Sequence, residues 1–565
     1  MSETTIPLGA MLMMTLVGAG ADRPTKNPKA TRSVVMATDG MVATSHPLAV
    51  QAGVDILKRG GNAIDAAVAV NAVLGVVEPM SCGIGGDLFA IVWDAKSGRL
   101  YGLNASGRSP YAATRDYFAK RGLKEIPETG PLSWSVPGCV DGWDQLLRRF
   151  GSKPLAEVLT PAIEYATGGF PVTEIIGGSW RSSERLLQAT PDAAKTYLQN
   201  NKAPRIGERM TNRYLAQTYR LLAKDGRDAF YKGPIARQLV EFSEQVGGLF
   251  TTRDFAEHST TWVEPVSTTY RGRQVWELPP NGQGIAVLQM LNILESFDIR
   301  KIGHNSPEFL HLFIEAKKLA FADRARFYAD PQVERHLPIA ELISKEYADR
   351  QRKRIDPNRA ALAVPPGDPR YSRADTVYVA IVDKDRNAVS FIQSIYYGWG
   401  SGLVPGNLGF ALQNRGALFA LDPNHPNRLE PHKRPFHTII PAMVTDNGKP
   451  WFVFGVMGGD MQPQGHVQVL VNLIDHGMNV QEAGEAARCQ HFGSSTPTGS
   501  VMTDGGQTLS ESGIPDATLE ALRKKGHRVG RGAAFGGYQG ILIDHQAGIL
   551  HGGSDPRKDG CAMGY

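Results

Sequence analysis

Apolar and polar positions along the chain follow two different periods. Around residue 376 the pattern is that of strands: Thr376-Val377-Tyr378-Val379-Ala380-Ile381-Val382 is rich in β-branched and aromatic residues, Asp383-Lys384-Asp385-Arg386-Asn387 is polar, and 388–396 is a second β-rich run. Two such runs joined by a short polar turn predict a hairpin with Thr376 at its leading end. A further strand pair is predicted at 89–93 and 100–103, around the turn Ala95-Lys96-Ser97-Gly98. Helical periodicity dominates elsewhere. Ser45 and Pro47 open a predicted helix that runs to Arg59 and stops at Gly60-Gly61, and Asn62 with Asp65 caps a second over 63–77. The second is apolar almost all round, which predicts burial between layers. Ser306-Pro307-Glu308 starts a third that keeps the 3.6 period through Phe327, and the stretch 132–329 as a whole reads as mostly helical scaffold. Residues 355–373, rich in proline, arginine and aspartate, read as a loop open to cutting.

Composition narrows the functional classes. A chain of 565 residues with 42% hydrophobic and 21% charged residues has enough apolar sequence for a large core. The net charge of +5 arises from 61 basic and 56 acidic residues without a basic block, so charge supports neither a nucleic-acid nor a membrane partner. Cys82, Cys139, Cys489 and Cys561 lie far apart with no CxxC spacing, and the histidines include no HExxH, so no metal and no cofactor is expected. Cys82-Gly83-Ile84-Gly85-Gly86 and the glycine-rich run 530–536 lack the spacing of a phosphate loop. Residues 1–34 read as an unstructured extension of a cytoplasmic protein. The apolar run 6–21 leaves a signal peptide, and so the periplasm or secretion, as the alternative.

The candidate chemistry begins at Thr376. A threonine hydroxyl is a poor nucleophile until a base takes its proton, and a free α-amine, with a pKa of about 8, can do so near neutral pH. A cut between Asp375 and Thr376 would place both groups on one residue. Read alone, Thr376 is also an ordinary strand residue.

The run 376–385 resembles the segment that opens the small subunit of the gamma-glutamyltransferase family, self-cleaving N-terminal nucleophile hydrolases. The likeness extends through 41–89, with Glu78-Pro79 and Gly83-Ile84-Gly85-Gly86-Asp87, through Leu278-Pro279-Pro280-Asn281-Gly282-Gln283-Gly284, and on to Tyr565. It implies an α+β fold, a four-layer αββα sandwich built jointly by a large subunit (35–375) and a small one (376–565). It also implies Thr376 as the nucleophile, Ser394 as the hydroxyl that supports it, and Gly458 and Gly459 as the oxyanion hole. Backbone N–H donors of that kind typically lower a barrier by about 2.7 to 4 kcal/mol.

The departures from the glutathione-cleaving pattern bear on the substrate. Ser106 stands where those members have a carboxylate-gripping arginine, with Arg108 two residues on as a substitute. Leu418 replaces the aspartate that binds the α-amino group, Arg415 and Tyr396 replace its glutamine and asparagine partners, and His437-Thr438 replaces a serine pair. An ammonium beside Arg415 would lack a counter-charge. The residues that remain, Arg108, Arg415, Tyr396, His437 and Thr438, suit an acyl group with a carboxylate and no amine. The chain therefore resembles the oxamate amidohydrolase and cephalosporin acylase branches more than the glutathione-cleaving one. The short, proline-rich 419–432 stretch leaves the site open to water and favours hydrolysis over transfer. A γ-glutamyltransferase or glutathione hydrolase, and a catalytically silent scaffold, are the alternatives. A small-molecule amide and the two subunits of one precursor are the expected partners, with a higher oligomer left open.

Overall fold

The computed structural model describes residues 30–364 and 374–565. Residues 1–29 of the predicted extension and 365–373 of the proline-rich loop lie outside the described residues. At the other end of that extension the chain is already docked: Thr31 N–H donates to the Glu485 carboxylate at 2.6 Å, and Val34 packs on a core cluster.

In chain order the elements that build the site are β1 (Met41–Thr44), α1 (Pro47–Lys58), α2 (Ala63–Val77), β2 (Asp87–Asp94), β3 (Arg99–Ala105), α3 (Ile285–Glu295), α4 (Pro307–Phe327), β4 (Ala374–Val382), β5 (Ala388–Tyr397), β6 (Ala442–Asp446), β7 (Lys449–Val456) and α5 (Met461–Ile474). The predicted hairpin is β4 and β5, in antiparallel register from Val377 opposite Gln393 to Val382 opposite Ala388. It lies at the centre of a seven-stranded antiparallel sheet, in the order Cys561–Gly564, β1, β4, β5, β2, β3, Thr261–Val263. A second seven-stranded antiparallel sheet holds Val35–Ala37, Ile549–Ser554, Tyr538–Asp544, β7, β6, Arg273–Glu277 and Val266–Tyr270.

Strand periodicity assigns each side chain of the hairpin to a layer. Val377, Val379 and Ile381 of β4 join a cluster with α1 and α2, whereas Tyr378, Ala380 and Val382 join one with Met443, Val453 and Ile541 of the other sheet. Because both faces are covered, the strand reads as a continuous apolar run. A third cluster packs α3, α4 and α5 on the far face of the second sheet.

The predicted helices form with small changes. α2 is buried throughout and opens with the Asn62/Asp65 capping box, and Asp65 also accepts from the Ser152 hydroxyl at 2.6 Å. In α1 the cap is His46 and not Ser45: His46 Nδ1 accepts from Leu48 N–H, while the Ser45 hydroxyl donates to Glu78. The 132–329 stretch is less uniformly helical than its pattern predicts. Arg271 and Gly272 both have positive φ, the backbone of a two-residue hairpin turn, and join Val266–Tyr270 to Arg273–Glu277 at an edge of the second sheet.

Candidate functional site

Thr376 lies near the start of β4, where a register shift falls between Asp375 and Val377. It is wholly buried, with its hydroxyl 3.4 Å from Ser394 Oγ and 3.5 Å from Gln462 Nε2. Ser394 is held in turn by Tyr396 N–H, which donates to its oxygen at 2.8 Å. Two hydroxyls thus meet because neighbouring strands place them on one face.

Gly458 and Gly459 fill the turn between β7 and α5, with φ of 112° and 57°. Both values are costly for a residue with a Cβ. Among the described residues neither glycine's N–H has a protein acceptor, while their carbonyls accept from Met461 N–H and Gln462 N–H in the first turn of α5. Two such amides ahead of a 14-residue helix, whose N-terminus carries partial positive charge, suit a developing alkoxide.

One amide side chain ties this turn to the segment that carries Thr438. Gln283 Nε2 donates to the carbonyls of Gly459 (2.9 Å) and Thr438 (2.6 Å), and Gln283 Oε1 accepts from Arg324 at 2.6 Å. Arg324, on α4, also clamps Asp460 at 2.7 and 3.2 Å; against burial, which raises it, this pair holds the Asp460 carboxyl below its usual range. Gln283→Leu fills the same space and strips acceptor and donor alike. It is expected to lower kcat about 100-fold with little change in KM, read by steady-state kinetics on protein whose cut is verified by mass spectrometry.

Arg415 opens a short 3-10 turn, Arg415–Leu418, and is fully buried. Its Nη1 donates to Thr438 Oγ1 at 2.5 Å and its guanidinium lies 4.6 Å from the centre of the Tyr396 ring, yet Nε and Nη2 have no partner. Burial pushes its pKa down to about 10 and nearby Asp87 opposes the fall. Tyr396 supports this arrangement with φ of 80°, a strained value of the kind found at functional sites.

Asp87 directly follows the glycine loop 83–86, and no local pattern in the sequence marks it as a site residue. It is fully buried at the head of β2, opposite Ser394 in register. Burial pushes its carboxyl up to about 7, against Arg415 and a set of donors. Oδ1 accepts from Gly107 N–H, Gly138 N–H and Gln413 Nε2 at 2.9 to 3.1 Å, and Oδ2 faces His437 Nε2 at 3.0 Å. His437 Nδ1 accepts from Ile439 N–H, so Nε2 carries the hydrogen and donates it to Asp87. Burial and Arg415 hold His437 well below its usual pKa. The imidazole is therefore neutral and brings a hydrogen-bond donor, not a charge, to this group.

Arg108 is not brought to this group. Its guanidinium donates to Ser259 O and Gln332 Oε1, acceptors that Arg434 shares. Ser106 turns to Asn104 Oδ1 at 2.6 Å. Tyr396, Leu418, Phe436, Thr438 and Asp460 line a cleft with a cavity volume of about 70 Å³, and Glu125 and Glu128 stand on its wall. Those two acids were also not anticipated. One cluster of metal-ligating type, His311, Glu315 and His527, occurs among the described residues, but Lys318 is ion-paired with Glu315 at 2.8 Å and His311 is engaged at both nitrogens.

A threonine near the head of a central strand, flanked by a second hydroxyl and a glycine turn, within mixed sheets and helices, defines the N-terminal nucleophile hydrolase fold. The family model for gamma-glutamyltranspeptidase matches residues 49–565, and the chain belongs to that family, an enzyme among hydrolases and acyltransferases. It is 40% identical over 539 residues to the glutathione hydrolase-like YwrD proenzyme of Bacillus subtilis, covering 94% of this chain and 99% of that one. It is 35% identical to the oxamate amidohydrolase proenzyme of Klebsiella pneumoniae, covering 94% and 99%. The crystal structure of a cephalosporin acylase from Bacillus halodurans superposes with a TM-score of 0.87 at 42% identity, over 96% of this chain and 99% of that one. Among the described residues no helix is long and apolar enough to cross a membrane.

Proposed function

We propose that the chain is a self-processing amidohydrolase that removes a small, carboxylate-bearing acyl group, oxamate-like or glutaryl-like, from an amide through Thr376. The observation that carries this reading is the buried Arg415, with two nitrogens unpaired behind the cleft wall formed by Tyr396 and Thr438. Thr438 Oγ1 accepts from Arg415, so its own hydrogen is available to a substrate carboxylate while the guanidinium supplies the charge. The names of two relatives, oxamate amidohydrolase and cephalosporin acylase, support the same acyl class. Arg108 is not needed for it.

In this reading Thr376 Oγ first attacks the Asp375 carbonyl, its peptide bond shifts to an ester, and water releases the large subunit (35–375) from the small one (376–565). The proenzyme names of relatives support such a precursor. Together the subunits form a four-layer sandwich, helices outside and two sheets within. The freed α-amine then takes the hydroxyl proton, the oxygen bonds to the substrate carbonyl carbon, and Gly458 and Gly459 N–H groups hold the oxyanion. The C–N bond breaks as the ammonium returns its proton to the leaving amine, and water hydrolyses the ester.

Glu125 and Glu128 favour a second reading, γ-glutamyl transfer or glutathione hydrolysis, because a carboxylate on the cleft wall could face an ammonium. Glu128 is already engaged by the Tyr397 hydroxyl at 2.8 Å, and all the acceptor positions of Asp87 described above are filled. Glutaryl and γ-glutamyl p-nitroanilides differ only in the α-amine. The glutaryl compound is expected to have a kcat/KM at least about tenfold higher; a preference for γ-glutamyl would establish the second reading instead.

A further inference from the structure

A second cavity of about 540 Å³ opens at the glycine turn. Its walls include Gly458 itself and Gly398, next in the chain to Tyr397 of the small cleft. The two spaces thus both border the turn read as the oxyanion hole, one through Asp460 and Tyr397 and the other through Gly458 and Gly398. An amide whose carbonyl sits at that turn can therefore extend its acyl part into one space and its amine part into the other.

The two spaces differ in size and chemistry. A cavity of about 70 Å³ backed by a buried guanidinium suits a few heavy atoms ending in a carboxylate. The larger one has a volume typical of sites for drug-sized molecules. No ionisable side chain lines it among the described residues: Met80, Met461, Phe492, Leu509 and Phe535 supply apolar surface, and Gln490 with the serines at the end of the Glu174–Ser182 helix supplies neutral polar groups. A charged amine component would find no partner there, and ammonia would leave the space unused.

We infer that this cavity is the leaving-group site and that the amine part of the substrate amide is a ring-containing group of roughly ten to twenty heavy atoms that carries no charge while it is bound as the amide. The inference rests on the acyl reading above for its substrate but not for its pocket. It sets this chain apart from an enzyme whose amine product is ammonia or a dipeptide.

Gly398 gives a clean test. Its φ lies outside the left-handed range, and a Cβ there would meet nothing within 4 Å, so a side chain projects into open space without strain. Ser182, exposed at the end of its helix, allows a second variant from the opposite wall. On the cut enzyme, N-benzylglutaramate is expected to exceed N-methylglutaramate in kcat/KM by at least about tenfold, and Gly398→Phe or Ser182→Trp to bring the ratio close to unity. Equal wild-type values, or a ratio that both variants leave intact, overturn the pocket. Free 7-amino-4-methylcoumarin, titrated by fluorescence, reads the pocket without any acyl group. Binding with a Kd of about 1 mM or tighter, weakened at least about tenfold in both variants, supports it. Absent or unaltered binding overturns it. Failure to hydrolyse either amide with coumarin binding intact condemns the acyl reading alone.

Discussion

Thr376→Ala is expected to give a single uncut chain of 61.3 kDa on a denaturing gel, and the wild-type protein is expected to give two shorter bands. Amide hydrolysis should fall by at least about 10⁴-fold, because the substitution removes the attacking oxygen and, by blocking the cut, the amine that would activate it. The two losses can be separated. Thr376→Ser keeps a hydroxyl on the same carbon and should still cut, more slowly, since serine lacks the methyl that fixes χ1. Intact-mass measurement then reports whether the new N-terminus is residue 376. The buried setting makes the alanine variant interpretable: Thr376 contributes one small side chain beside Ser394 and Gln462, and its loss leaves the surrounding sheet clusters untouched. Wild-type protein that is active with the Asp375–Thr376 bond whole, or an alanine variant that still splits, would remove the basis of the mechanism.

How far each part was legible follows from how far its causes lie along the chain. The β4–β5 hairpin is set by adjacent residues, and the α2 capping box by side chains three apart, so both could be read directly. His46 took the cap expected of Ser45 because an imidazole nitrogen can accept there and Glu78 draws the serine away, a partner 33 residues distant. The strands at 261–277 are short and lie between helices. Only Tyr270-Arg271-Gly272-Arg273, a turn sequence with a β-rich residue on its N-terminal side, marked them.

The site divides in the same way. Thr376 and Ser394 face each other through one hairpin. Gln283 and Arg324 come from a loop and a helix that looked like scaffold, and nothing local tells an amide that will bind two carbonyls from one that faces water. Arg108 shows the reverse. Its position two residues from the family arginine was visible in the sequence, whereas the direction of its side chain is set by Ser259 and Gln332, 151 and 224 residues away.

Arg415→Leu is expected to lower kcat/KM for a carboxylate-bearing amide by about 100-fold or more, chiefly through KM, since it removes the positive charge behind Thr438. The protein should remain folded. A leucine deletes two unpaired buried nitrogens, and replacing a buried charge by an apolar side chain is often neutral for stability. Burial raises the Asp87 carboxyl already, and the loss of Arg415 would raise it further, leaving that group neutral. Arg415→Lys distinguishes charge from mere size. An amine of ordinary pKa near 10.4 starts about two units below a guanidinium, and the burial that takes Arg415 down to about 10 would take a lysine lower still. The lysine variant should bind the acyl carboxylate at low pH, where it is protonated, and lose it as pH rises through its depressed pKa, while the wild-type guanidinium stays charged over the same range. A pH profile of kcat/KM with a new alkaline limb in Arg415→Lys, absent from the wild type and from Arg415→Leu, is the expected result. Superimposable profiles, or an Arg415→Leu enzyme whose KM for the glutaryl amide is unchanged, would place the carboxylate elsewhere.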